Sequence, residues 1–189
     1  EKVVKGRDAW QAGADFLIEL ADAGHQADPN HLVFTKEPRD WYLPLLEQAL
    51  NKLRARGQEP NTYFVYGGNF YGNPEEIGPA MVALKTTVDQ KLGVALCITE
   101  YGPYGLDREG RSKYYVQIWR KLTPLSIGGS AYVYTGPNNP NPANRDAVLE
   151  TEFRMVNYDG LPVDDTLAAL AAQFKAERDA LQAIQKPKP

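Results

Sequence analysis

The chain is poor in the side chains that bind metals or cross-link. It has one cysteine and two histidines in 189 residues. Cys97 can form no internal disulfide, and it lies in the apolar run Val94–Ile98, where a thiol serves as a small hydrophobe. His25 falls in a predicted helix and His31 at a strand start, so neither joins a cluster of the kind transition metals need, and both read as structural. Charge of one sign is lacking too. The net charge is −3, which gives no general field for nucleic acid or an anionic membrane. No stretch approaches ~18 consecutive apolar residues, so no membrane span is expected. G-x-S-x-G, Walker and dinucleotide motifs are absent, and "YGGNFYG" (66–72) is glycine-rich without phosphate-loop spacing. The opening "EKVVKGRDAW" has no initiator Met and no signal-type apolar core, and reads as cut from something longer.

What is present is an alternation of two periodicities. Residues 8–24 place Trp10, Ala14, Leu17, Ile18 and Ala21 at helical spacing. "HLVFT" (31–35), "TYFVY" (62–66), 93–99 and "GGSAYVY" (128–134) read as strands. Between them, 41–56, 75–91 and 112–122 read as helices, with Gly57 and Gly93 as stops, and a last helix covers 165–181. The polar residues 182–189 read as a frayed tail or linker. Strands joined by crossover helices are parallel, and near-continuous apolar strands are those covered on both faces. The fold class is therefore α/β, built of parallel βα units. A closed (β/α)8 barrel needs about 250 residues, and four units make about half of one. Either an open four-stranded sheet or half of a barrel fits this length.

In such folds chemistry gathers at the C-terminal ends of the strands. Those ends carry Lys36 and Glu37; Asn69, Phe70 and Tyr71; Thr99, Glu100 and Tyr101; and Tyr132 and Tyr134 followed by Asn138, Asn139 and Asn141. Carboxylates with tyrosine and amide neighbours suit sugar chemistry, and Tyr101, beside Glu100, is among the candidate substrate contacts. A glycosidase needs one carboxylate to attack and one to protonate the leaving oxygen, while aromatic faces stack on pyranose rings and amides reach hydroxyls. Trp41 could stack on a distal sugar or pack its helix, while Trp10 and Trp119 read as packing residues.

Four stretches then resemble one family. "ITEYG" (98–102) resembles the end of the seventh barrel strand in clan A glycoside hydrolases such as GH5 and GH2, where the nucleophile stands. "ADPNHLVF" (27–34) resembles the approach to the fifth strand, "GGNFYGN" (67–73) the end of the sixth, and "FRMVNYDGLPVDDTLAALAAQF" (153–174) the closing segment. The resemblance implies the C-terminal half of a TIM (β/α)8 barrel, strands five to eight, over residues 1–181. It implies a retaining hydrolase of a β-linked oligo- or polysaccharide, with no cofactor. Carried over, Glu100 is the nucleophile, Tyr71 its hydrogen-bonding partner, and Asn69 lines the pocket. The Trp that the clan often places after the eighth strand is absent, leaving Tyr132 or Tyr134 to build that platform. "KEP" (36–38) mimics the clan's acid/base motif. Yet only one strand separates Glu37 from Glu100, so Glu37 reads as a salt-bridge partner of Lys36 or Arg39 or as a substrate contact, and the acid/base is expected upstream of residue 1, on a missing N-terminal half that this half would contact. An extracellular or periplasmic location is expected before a cytoplasmic one. Held beside this are a catalytically inactive carbohydrate-binding or polymer-guiding homologue, and a flavodoxin-like or receiver-like domain, which should show an acidic cluster or phosphate loop that this chain lacks.

Overall fold

Alanine, leucine and isoleucine at helical spacing form α1 (Arg7–Ala27), which buries Ala14, Ile18 and Ala21. Its partner is α2 (Leu43–Ala55), which starts with Pro44 in its first turn and buries Leu43, Leu45, Leu46, Ala49, Leu50 and Leu53. Gly57, at φ 83°, ends this stretch and its N–H reaches the Arg54 carbonyl. Two ion pairs link these helices, Lys52–Asp15 at 2.5 Å and Arg56–Glu19 at 2.6 Å. Such exposed pairs contribute about 1 kcal/mol or less. Each fully buried leucine contributes about 2–3 kcal/mol, and Leu46 and Leu50 are both completely buried. Apolar burial therefore holds the pair together.

The computed structural model describes residues 6–35, 40–103, 110–132, 153–156 and 161–185. After α1 come β1 (Val33–Phe34), α2, β2 (Phe64–Tyr71), α3 (Pro74–Thr87) with a π-helical turn at Val88–Leu92, β3 (Ala95–Gly102), α4 (Arg111–Leu122), β4 (Gly129–Ala131) and α5 (Thr166–Gln185). The four parallel strands form one sheet in the order β1-β2-β3-β4. Val33 pairs with Phe64 and Phe34 with Val65.

The chain forms two compact units, one of Glu1–Asn69, Pro79–Thr99 and Leu125–Gly129, the other of Phe70–Gly78, Glu100–Pro124 and Ser130–Pro189. The first holds α1, α2 and the starts of β2 and β3. The second is centred on α4 and α5. There Trp119 donates its indole N–H to the Glu177 carboxylate at 2.9 Å and meets Phe174 edge-on at 4.8 Å. Arg111, only 4% exposed, binds Asp164 through Nε at 2.8 Å and the Arg154 carbonyl at 2.9 Å. Asp164 also accepts the Thr166 N–H at 2.9 Å, at the start of α5.

Among the boundaries that differ from those the sequence suggests, three change an element's extent most tellingly. The stretch after Tyr66, expected as a glycine-rich loop, continues β2 to Tyr71. Gly67 explains this: a Cβ there would lie 2.1 Å from the Thr35 carbonyl oxygen, so glycine is what lets the backbones approach. β3 runs on to Gly102, which makes Glu100 and Tyr101 strand residues rather than loop residues. α5 continues to Gln185, so 182–185, expected in a polar tail, are helical, carried on by the helix formers Leu181, Gln182, Ala183 and Gln185.

Two outcomes follow for stability. Gly67→Ala is expected to lose about 3 kcal/mol, since backbone must move to admit the methyl, and urea unfolding reads this directly. For Asp164, burial raises the carboxyl's pKa, but hydrogen bonds from Thr166 and the Arg111 guanidinium outweigh it and hold it below the usual value. A depressed carboxyl stabilises above its unfolded value and loses that stabilisation as pH falls through its folded value. Asp164→Asn is therefore expected to unfold about 3 kcal/mol more easily at neutral pH, the scale of a broken buried pair. That deficit should shrink toward pH ~2, below the unfolded carboxyl value.

Candidate active site

Strand geometry selects the residues that can meet at the C-terminal ends of β2 and β3. Along β2, Asn69 and Tyr71 share one face and are its less buried residues, while Phe70 turns the other way and is buried. Along β3, Leu96 and Ile98 are buried and Cys97 and Thr99 half-buried, as alternation requires. Then the phase slips. Thr99 and Glu100 are both half-buried, and Tyr101 and Gly102 are both buried. Strict alternation would have placed Glu100 with Leu96 and Ile98 in the core. The slip spares the carboxylate that burial and sends Tyr101 inward.

Within the second unit, Tyr71 donates its phenolic O–H to Glu100 Oε2 at 2.5 Å. Burial first, and then the hydrogen bond and charge of Glu100, push the Tyr71 phenol far above its ordinary 10. Tyr71 is thus a fixed neutral donor at any physiological pH, aimed at a carboxylate. Its ring is held by two others. Tyr132 meets it edge-to-face at 5.8 Å and 90°, and Phe153 lies 5.3 Å away at 52°. Tyr132 and Phe153 meet at 5.8 Å and 68°, closing an aromatic triangle. Gly102 makes room for it, because a Cβ there would stand 3.0 Å from the Phe153 ring. The hydroxyl of buried Tyr115 donates to the Tyr132 carbonyl, and also reaches that of Phe153 at 3.4 Å.

Tyr71, Glu100 and Tyr132 are thus brought together. Tyr101, expected to bind substrate, is not with them. It is 0% exposed and packs on Tyr115 and Trp119, with ring centroids at 5.9 and 5.8 Å, so it serves the core. Asn69 accepts a hydrogen bond from the Thr99 hydroxyl at 2.6 Å in the first unit. Also in that unit, Trp41 is exposed and meets Trp10 at 5.0 Å. Trp10, expected to pack, is itself 53% exposed, although it shares the stripe of Ala14 and Ile18 and stands one turn nearer the start of α1. Trp119 is buried. Glu37 and Tyr134 lie outside the described residues. Phe153 was not singled out from the sequence, although it opens the closing stretch "FRMVN"; only its ring contacts mark it. Among the described residues no group of three or more His, Cys, Asp or Glu could hold a metal ion, and no helix is long and apolar enough to cross a membrane.

No protein-family model and no curated protein matches the chain. Solved structures do. A psychrophilic family 10 endo-β-1,4-xylanase superposes with a TM-score of 0.52 at 16% identity, over 84% of this chain and 50% of the xylanase. An exo-β-1,3-glucanase of family GH128 from Aureobasidium namibiae gives 0.52 at 14%, over 82% and 58%. The endo-β-1,4-mannanase of Thermotoga petrophila gives 0.51 at 12%, over 96% and 42%. The fold is α/β, like half of a TIM barrel. The chain spans about half the length of these glycoside hydrolases, and at such identities the likeness is one of fold.

The Tyr71–Glu100 contact carries its own test. Glu100→Gln is expected to lower the pH at which Tyr71 ionises, because it removes a negative charge and a strong acceptor. The fall is only partial, since burial, the larger cause, remains. Tyrosinate absorbance of Glu100→Gln, compared with Glu100→Gln/Tyr71→Phe, isolates that one phenol.

Proposed function

We propose that this chain is the C-terminal half of a retaining β-glycoside hydrolase barrel, with Glu100 as nucleophile. The observation that carries the reading is the Tyr71 O–H aimed at Glu100 at 2.5 Å, at the C-terminal ends of neighbouring parallel strands. The glycoside hydrolases of like fold support it, as does the order of the four sequence resemblances.

In this mechanism a Glu100 oxygen attacks the anomeric carbon while the bond to the leaving oxygen breaks. A second carboxylic acid protonates that oxygen. It is expected from a segment upstream of residue 1. The acylal ester so formed is then hydrolysed by a water that the same second group deprotonates, and two inversions give net retention. Tyr71 keeps the carboxylate oriented and shares its charge. As negative charge leaves Glu100 on attack and returns on hydrolysis, the fixed phenol favours the second step in particular. Tyr132, packed on Tyr71, offers the aromatic wall that a missing Trp would otherwise supply. The substrate class is a β-linked glycan, recognised by ring stacking and neutral hydrogen bonds.

The test is hydrolysis of β-1,4-xylan, β-mannan and β-1,3-glucan by the polypeptide that carries this chain, with product anomers followed by NMR. Glu100→Gln is expected to lower kcat by about 10³-fold or more, the scale of losing a nucleophile. Tyr71→Phe should lower it by about 10²-fold, the scale of losing one preorganised donor. Activity unchanged in Glu100→Gln removes that residue from the mechanism. Binding without cleavage in the parent would point to a carbohydrate-binding or polymer-guiding protein instead.

A further inference from the structure

The first unit holds a groove of about 530 Å³ lined by Gly6, Trp10, Trp41, Pro44 and Leu45. That falls within the roughly 300–1,000 Å³ of small-molecule sites. Its walls are two indoles, 53% and 52% exposed, set edge-to-face at 5.0 Å and 77°. Two tryptophans left this open in contact with each other are costly on a surface, since each forgoes a large apolar burial.

The groove is also held in shape. Trp10 stands on α1, which is packed against α2, and Trp41 sits in the turn just before α2, with Tyr42 edge-on to it at 5.5 Å. Gln11 ties the two helices by donating its amide to the Leu45 carbonyl at 3.1 Å. The two walls are therefore fixed with respect to each other before anything binds.

The chemistry narrows the occupant. Among the described residues none that lines it is charged, so an ionic ligand would find no counter-charge from them and would have to be desolvated at a loss. A purely apolar ligand would leave polar groups unused. Neither indole N–H has an acceptor among the described residues. Flat apolar ring faces that carry N–H donors match an equatorial pyranose, which is C–H on its faces and hydroxyl at its edge.

We propose that the Trp10–Trp41 groove binds an uncharged β-linked oligosaccharide by stacking, as a glycan-holding site in its own right. The choice of glycan over other neutral ring compounds rests on the hydrolase reading above. The site itself rests on the two indoles.

The experiment is a tryptophan-fluorescence titration of the Glu100→Gln protein, which binds without turnover, using xylo-, manno-, cello- and laminari-hexaose. Saturable quenching with a blue shift is expected for at least one of them, because the groove would exclude water from Trp10 and Trp41 while buried Trp119 stays constant. Trp41→Ala and Trp10→Ala should each weaken that binding by about tenfold or more, a loss of about 1.4 kcal/mol. Trp41→Phe, which keeps a ring and guards against misfolding, should fall between. No saturable change up to about 10 mM, a limit corresponding to about −2.7 kcal/mol, overturns the proposal. So does a signal that survives both alanine substitutions. A blue shift that grows with protein concentration alone also overturns it, since a second copy would then cover the groove. Hydrolysis by the parent is scored separately. Saturable binding without any hydrolysis sinks the enzyme reading and leaves the groove standing, while hydrolysis without tryptophan quenching does the reverse.

Discussion

The one-residue slip in the alternation of β3 is the constraint on which the candidate site depends. A strand that must pack under helices gives every second residue to the core. Leu96 and Ile98 obey, and the next in that row would be Glu100. An unpaired carboxylate in that row would have to be desolvated or neutralised. The slip hands the row to Tyr101 instead, whose ring fills the space between Tyr115 and Trp119. Local slips of this kind re-aim one side chain at little cost to the rest of a strand, and β-bulges beside active sites work in the same way. One backbone adjustment thus accounts for both a buried tyrosine and an available acid.

The cost of the arrangement can be located. The Tyr101 hydroxyl is buried and has no hydrogen-bond partner among the described residues, a loss of about 1–3 kcal/mol. An edge-to-face contact with Tyr115 and a tilted one with Trp119 each return about 0.5–1.5 kcal/mol beyond area burial, enough together to offset it. On the other side of the strand the same logic favours Tyr71. Its hydroxyl is satisfied by a charged acceptor, the stronger kind of hydrogen bond, and its ring is clasped by Tyr132 and Phe153. A donor that is neutral, aimed and rigid is worth more to a carboxylate that changes charge during reaction than one that must first reorient.

How much of this was legible follows from period and chain order. Parallel βα units and the strand ends were readable, because crossover helices force parallel strands and apolar runs mark them. The pairing of Tyr71 with Glu100 was reached through the resemblance of "GGNFYGN" and "ITEYG" to one family, since nothing in spacing alone ties residues 29 apart. The register of β3 was not readable: "ALCITEYG" is consistent with either phase, and only tertiary packing chose. The glycines of β2 misled for a similar reason. Gly67 looks like a turn signal, whereas its role is to let Thr35 come close. Phe153 was invisible as a site residue because an apolar side chain far along the chain carries no chemical mark, and its place is set by the space above Gly102.

The same physics bears on what completes the site. Retention needs two carboxyl groups about 5–5.5 Å apart, one ionised and one protonated at working pH. Two acids that close raise one another's pKa, and the one without good donors takes the proton. Glu100 already has a strong donor in Tyr71. In the proposed mechanism Tyr71 is the fixed donor to the nucleophile, whichever segment supplies the second group. The phenol cannot itself be that acid, because the causes that raise its pKa, burial and the Glu100 charge, also keep it from giving up its proton to a leaving oxygen.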